Sequence, residues 1–468
     1  MTGRLATLVR DWLATSGAEI GDVGAGAFTG PEIIALADRA ADELRARGVE
    51  PDEPVHVTIG NRAGDIAALL AVWSVGAVAA PIHQNASVTT RAAVLAQTGA
   101  RLQLDGVYVE ELGASPPAKR PLLQGAALII FTSGTTGAPK GVVLGHDAFA
   151  AKLDALDGLL GITRDDVVLA PLQLIFIFGI WVSLLSIRAG ARLRLVQKFT
   201  VERGAQALAE GATVLGAVPS MMRALLADAA IPAPTLRSIL TGGEALPPAL
   251  RERLEKVWPG AGIYDLYGST ETGSCDFVVR PDEAQAGVGA IGTPTEGVAY
   301  RIIRDDGAPA APGESGELRI VTPFLMLGYL DNPALTAASL VDGGFRTGDI
   351  ARLRADGMVE LIGRSKEIIS RGGNKISPLE VENLLCAHAD VAAALCAGVP
   401  DARLGEAIHA VVVLRKDARI SETELKCWAA ERIERFKLPD VILFSDALPL
   451  GATGKASRAA LRDLATAE

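Results

Sequence analysis

Val167–Ile187 reads VVLAPLQLIFIFGIWVSLLSI, 21 residues without one charge between Asp166 and Arg188. That length meets the roughly 18 apolar residues at which a run becomes a candidate membrane span. Pro171, Gln173 and Gly179 interrupt it. A lone span gains nothing from such residues, because a proline leaves a carbonyl of the preceding turn without its N–H and a glutamine amide needs partners, and lipid supplies neither. The run is expected to be one wall of an internal pocket, and the chain a soluble protein.

Composition agrees with that choice. Of the 468 residues 49% are hydrophobic and only 4% aromatic, so the apolar content is mostly Ala, Val, Leu and Ile, which suits packed α/β layers. A chain this long exceeds the roughly 250 to 300 residues at which a single core stops growing, so at least two domains are expected. A net charge of -10, with no basic block interleaved with aromatics, argues against a nucleic-acid partner. Cys275, Cys386, Cys396 and Cys427 lack CxxC spacing and nearby histidine pairs, which argues against structural zinc and a disulfide framework and fits a reducing cytoplasm. Arg10 and Asp11 break the apolar pattern of the first 17 residues, so an amphipathic helix is expected there and not a secretory leader.

Working outward, Thr29–Gly48 opens with Thr-x-x-Glu and Pro31, keeps an apolar stripe and stops at a glycine, which predicts a surface helix. Pro54–Gly60, Arg62–Gly76 and Ala77–Ile82 alternate strand, helix and strand, the pattern of a βαβ unit on a parallel sheet. Towards the other end, Ser377 and Ser421 each begin Ser-x-x-Glu helices, separated by strand-like Ala392–Val399 and Ala407–Leu414. The expected architecture is a large multi-sheet α/β domain over residues 1–365 and a small, mobile α+β domain over 366–468, with the boundary in charged Gly363–Glu367.

Chemistry enters where the apolar strand Ala127–Phe131 opens into Thr132-Ser133-Gly134-Thr135-Thr136-Gly137-Ala138-Pro139-Lys140-Gly141. Glycines let backbone N–H groups approach a ligand, hydroxyls donate hydrogen bonds and Lys140 supplies charge, a set suited to a polyphosphate. The Walker A pattern is absent both here and at Gly451–Ser457.

At this loop the chain resembles the adenylate-forming superfamily of acyl- and aryl-CoA ligases, luciferases and peptide-synthetase adenylation domains. The resemblance continues in matching order through Thr241–Pro247, Asp265–Gly273, Phe345–Leu385, Gly398–Leu414 and Leu448–Leu461. It implies that Thr132, Ser133, Gly134, Thr135, Thr136, Gly137 and Lys140 surround the ATP phosphates. Tyr267 and Asp265 would lie at the adenine with Gly243 and Glu244 beside them, Thr270 would contact the α-phosphate and Glu271 would hold magnesium. Asp349 would accept from the ribose hydroxyls, with Arg364 against the same sugar. Lys455 would bridge the acid carboxylate and the α-phosphate. Lys366 would be a hinge about which the small domain turns between two half-reactions, bringing Gly372 and Gly373, with Arg371 nearby, to a thiol channel.

The same resemblance makes Phe176, Phe178, Gly179, Trp181, Val218, Leu266 and Gly268 an acyl pocket. Two departures matter. Many relatives place a histidine before Phe-Gly, and Phe176-Ile177-Phe178-Gly179 has none; peptide-synthetase domains commonly place an ammonium-pairing aspartate where Gly179 stands. An α-amino acid is thereby disfavoured. The expected activity is ATP- and magnesium-dependent adenylation of an apolar aliphatic or aromatic acid, then transfer to coenzyme A. Transfer to a carrier-protein phosphopantetheine or a nitrogen nucleophile, activation of nitrite, and a non-catalytic nucleotide-binding role are the alternatives.

Overall fold

The computed structural model describes residues 3–113, 117–132, 139–226, 231–416, 418–450 and 456–466. Among them the strands form four sheets. The largest runs, in spatial order, Thr293–Pro294, Phe277–Val279, Gly262–Tyr267, Ser238–Gly242, Val214–Gly216, Val167–Ala170, Arg192–Leu195, Glu19–Asp22 and Ala27–Thr29. From Gly262–Tyr267 to Glu19–Asp22 every neighbouring pair is parallel, so their carboxyl ends lie along one edge. A second sheet centres on the parallel pair Pro54–Ile59 and Val78–His83, joined by helix Ala63–Ser74, as the βαβ pattern predicts. Val78–His83 pairs in turn with Ala126–Thr132, the strand that feeds the hydroxyl- and glycine-rich loop.

The uncharged run divides in two. Val167–Ala170 is a strand, a turn follows through Phe176, and Ile177–Ala189 is a helix closed by left-handed Gly190 (φ 74°). That helix is 13 residues, about 20 Å, against a hydrocarbon layer of about 30 Å. Among the described residues no helix is long and apolar enough to cross a membrane. Ile177–Ile187 is instead apolar all round because it is buried nearly all round, between the first sheet and the N-terminal helix Arg4–Thr15. Asn61 pins the turn before it: left-handed itself (φ 61°), it donates from Nδ2 to Val196 O at 2.8 Å and accepts the Leu174 N–H at 3.0 Å.

The remaining helices begin where the sequence signals put them. Thr29 and Glu32 form the capping box of Gly30–Ala46, and Ser421 and Glu424 that of Glu422–Ala430. Ser377 caps Pro378–Cys386 and also donates to Ile362 O, tying that helix back to the preceding strand. Residues 369–444 supply a sheet of their own, in the order Asn374–Ile376, Ile369–Arg371, Gly405–Leu414 and Val391–Asp401, with Val441–Phe444 beside Gly405–Leu414. Its core, including Ile369, Val381, Leu385, Ile408, Val412, Leu425 and Ile442, draws on no residue before 369 among those described.

Gly179 is required by close packing. A Cβ there would lie 2.4 Å from Gln173 O and 3.2 Å from Leu172 O, so the helix can approach the turn only without a side chain. Gly179→Ala is expected to destabilise by about 1 to 3 kcal/mol through overpacking. Denaturant unfolding checks this, and an unchanged midpoint would refute the close approach.

Candidate active site

The carboxyl edge of the parallel strands gathers Ala170, Gly216, Gly242 and Tyr267, the ends of adjacent strands, and the segments after them carry most of the expected site. Open α/β sheets bind ligands at this edge. At one end, Tyr267 Oη donates to Asp349 Oδ2 at 2.6 Å and Arg364 Nε donates to Asp349 Oδ1 at 3.1 Å. Asp349 and Arg364 face each other across antiparallel strands Gly344–Leu353 and Val359–Arg364, so register alone brings them together. Burial, reinforced by the Asp349 carboxylate, raises the Tyr267 phenol well above its ordinary value, so it remains a donor.

Thr270 and Glu271 sit on a 3₁₀ turn, Thr270–Thr272, followed by three consecutive left-handed residues: Gly273 (φ 78°), Ser274 (φ 68°) and Cys275 (φ 54°). Left-handed backbone costs about 1 to 2 kcal/mol per non-glycine residue and persists only where the surroundings over-determine it. Lys152 does so here. Fully buried, its ammonium donates to Cys275 O at 2.7 Å, lies 3.5 Å from Asp276 Oδ1 and sits over the Phe324 ring at 5.0 Å. Asp276 Oδ2 accepts from Thr272 Oγ1 at 2.5 Å, and Glu271 O accepts the Met326 N–H at 2.7 Å. Burial raises the Asp276 carboxyl and the Lys152 charge opposes that rise.

Above this loop, Tyr329 Oη donates to Glu271 Oε1 at 2.7 Å, and Lys140 Nζ lies 5.7 Å from the centre of the Tyr329 ring. Tyr329 is placed by the pairing of Gly328–Tyr329 with the strand that begins at Lys140. Thr132 and Lys140 pair across antiparallel strands and so mark the two ends of the phosphate-loop sequence. Ser133, Gly134, Thr135, Thr136, Gly137 and Lys455 lie outside the described residues. Glu271 Oε2 accepts no hydrogen bond among the described residues, which also contain no group of three potential metal ligands. A single carboxylate fits magnesium, which keeps waters and takes its other oxygens from substrate phosphates.

Other expected residues have further duties. Glu244 accepts from Ser220 N at 3.2 Å, Ser220 Oγ at 2.8 Å and Arg223 Nη2 at 3.3 Å, which fixes the turn at left-handed Gly243 (φ 79°). Burial pushes the Asp265 carboxyl up to about 7, against the pull of Arg251. Gly268 is another enforced glycine, since a Cβ would meet Cys275 N at 2.3 Å. Phe176, Phe178 and Val218 are partly exposed, while Leu266 is nearly buried. Trp181 corrects the expectation for a pocket-lining side chain: it is completely buried and backs Phe178 at 5.1 Å between ring centres. Gly372 (φ 56°) and Gly373 (φ 84°) form the exposed turn of a hairpin closed by Arg371 and Asn374, and Arg371 pairs with Asp440. Lys366 is exposed on the short turn Ser365–Glu367. Sequence reading passed over Lys152, Asp276 and Tyr329; a glycine-flanked tyrosine and a lysine in an ordinary helix carry no signal of burial.

Comparison with known proteins identifies the architecture. A family model described as AMP-binding enzyme matches residues 18–119 and 109–330, and the C-terminal domain model of the same enzymes matches 380–455. The chain belongs to the AMP-binding enzyme family. This AMP-binding enzyme is 32% identical over 479 residues to 2-succinylbenzoate–CoA ligase of Geobacillus kaustophilus, covering 94% of this chain and 96% of that one. It is 30% identical over 469 residues to the fatty acid–acyl-carrier-protein ligase ScoC of Streptomyces coeruleorubidus, covering 91% and 89%. The solved structure of o-succinylbenzoate CoA synthetase (MenE) from Bacillus subtilis, in complex with its acyl-adenylate intermediate, superposes with a TM-score of 0.84 at 27% identity over 97% of this chain and 98% of that one. The same synthetase has also been solved with ATP and a magnesium ion. The adenylate-forming fold and the AMP-forming acid–thiol ligase class expected from the sequence are borne out.

Lys152→Met strands the Asp276 carboxylate without its partner in a fully buried position. The expected cost is about 3 to 5 kcal/mol, and pairing it with Asp276→Asn should recover much of that. Chemical denaturation of both variants checks this; equal stability of single variant and wild type would contradict the brace.

Proposed function

We propose that this AMP-binding enzyme activates an apolar aliphatic or aromatic carboxylic acid with ATP and transfers the acyl group to coenzyme A. The observation that carries the reading is the convergence, at one sheet edge, of the Tyr267–Asp349–Arg364 cluster, the Lys140–Tyr329–Glu271 group and the uncharged segment Leu172–Ile180. The first group would present a carboxylate to a sugar, the second would offer a cation and a carboxylate to a triphosphate and its metal, and the third offers no charged partner for an acyl chain.

A carboxylate is a poor acyl donor because its leaving group would be oxide. Attack of its oxygen on the α-phosphorus, with loss of pyrophosphate, replaces oxide by AMP as the leaving group. Charge builds on the α-phosphate oxygens as this happens. Thr270 is assigned to donate a hydrogen bond there and Lys140 to neutralise the outer phosphates, while magnesium, when bound, would supply further neutralisation through Glu271. Lys455 is assigned to the oxygen shared by acid and α-phosphate. Thiol attack on the acyl carbon then expels AMP. Residues 366–468 are assigned to a domain that turns at Lys366 between the two steps, with Gly372 and Gly373 beside the thiol. The ScoC likeness favours a second reading in which that thiol belongs to a carrier protein.

Pyrophosphate release measured across aliphatic, aryl and amino acids plus nitrite, with and without coenzyme A, tests this directly. Release with an apolar acid and AMP formation quickened by coenzyme A is expected. Release indifferent to coenzyme A would move the acceptor to a carrier protein or an amine, and silence with ATP still bound would sink the enzyme reading. In the same assay Asp349→Ala is expected to raise KM for ATP about 10- to 100-fold, the loss of hydrogen bonds to a charged acceptor, with a smaller effect on the KM for the acid. An unchanged KM for ATP would remove Asp349 from the nucleotide site.

A further inference from the structure

The segment assigned to adenylation, Gly451–Lys455, has closed stems. Leu450 and Ala456 bridge across it, and Ser457 N donates to Pro449 O at 2.8 Å. Helix Arg458–Thr466 starts immediately afterwards. Arg458, its first residue, turns back on the domain with almost all its hydrogen-bonding capacity used. Nη1 donates to Glu367 Oε2 at 2.9 Å, Nη2 lies 2.8 Å from both oxygens of Glu382, and Nε donates to Cys396 O at 3.0 Å. Glu382 in turn accepts the Cys396 N–H at 2.7 Å, so the fork seats on a buried, already fixed carboxylate.

Glu367 directly follows Lys366. Three residues before it, Arg364 is fastened to Asp349 at 3.1 Å. The hinge position therefore lies between two ionic anchors, one to the nucleotide side of the large domain and one to the stem of the lysine segment. Only Ser365 and Lys366 separate them. Charge-assisted bonds of this kind are short and geometrically specific, and the arginine fork cannot be reproduced by a lysine.

We propose that Arg458 is a positioning residue that couples the hinge to Lys455. With Glu367 held against the helix that follows Lys455, a backbone rotation at Lys366 carries the lysine segment with it instead of being absorbed by bending between the two. Without that tie the helix that follows Lys455 stays seated, because Leu461 remains buried against Leu395, Ala397 and Val411, but its link to the hinge is lost. This rests on the proposed function, in which Lys455 serves adenylation and takes no part in thiol attack.

The test separates the two half-reactions. Glu367→Gln and Arg458→Lys are compared with wild type in acid-dependent exchange of labelled pyrophosphate into ATP, and in thioester formation from a synthetic acyl-adenylate of the acid that wild type turns over, mixed with coenzyme A. Expected is a fall of at least about tenfold in exchange, the loss of a charge-assisted bond, with thioester formation within about twofold of wild type; the thermal midpoint stays close to wild type for Glu367→Gln and falls for Arg458→Lys, which also loses the fork on buried Glu382. Equal losses in both half-reactions, or no loss in either, would overturn the coupling, and Glu367→Gln keeps the test available if Arg458→Lys does not fold. Absence of exchange in wild type would instead overturn the function on which the coupling rests, and the coupling with it.

Discussion

Asp349 is the point at which the largest sheet and the strand pair leading to the C-terminal unit are made to agree. Its carboxylate receives Tyr267 from the end of the largest sheet and Arg364 from the strand that leads to the small domain. It is itself almost enclosed, at 6% exposure, so neither donor can be withdrawn without leaving a buried charge short of partners. That requirement sets where the 299–364 sheet meets the carboxyl edge of the parallel strands, and it fixes the origin of the chain segment that enters the C-terminal unit. The nucleotide corner proposed above rests on this agreement between Tyr267, Asp349 and Arg364.

The Glu271 loop shows how such a site is held under strain. Left-handed backbone at Gly273, Ser274 and Cys275 folds the loop tightly enough for Gly268 to touch the backbone of Cys275, and this geometry is not what those residues adopt alone. The opposing contribution is the Lys152 ammonium, buried under the loop and satisfied by the carbonyl of Cys275 and the carboxylate of Asp276. A charge pair in such a place adds little net stability over an apolar pair, but it is directional, and it holds the strained loop that carries Glu271 in one geometry. Tyr329 completes the arrangement from above by fixing one oxygen of Glu271.

Much of this was legible in the sequence, and the part that was not has a common cause. The capped helices at Thr29, Ser377 and Ser421, the βαβ unit at Pro54–His83 and the strand ahead of the phosphate loop all announce themselves through local periodicity and cap chemistry. Tyr267, Glu271, Asp349 and Arg364 were named from motifs, and the structure brings the members of each group together. Lys152, Asp276 and Arg458 are different. Their importance lies in being paired across 123, 124 and 91 residues, with Cys275, Lys152 and Glu367 respectively, and no local pattern records a partner that far away. Trp181, expected in the acyl pocket from the resemblance, is fully buried behind Phe178.

The contact between Gly179 and the carbonyl of Gln173 also bears on substrate choice. Accepting an α-amino acid would call for a carboxylate near this position to meet the ammonium group. Here any side chain at Gly179 meets the Gln173 carbonyl at its Cβ, before a functional group can be placed. The turn at Leu172–Gln173 would have to shift first, and that shift is opposed by Asn61. Change at Gly179 is thereby tied to change at Asn61, 118 residues earlier in the chain.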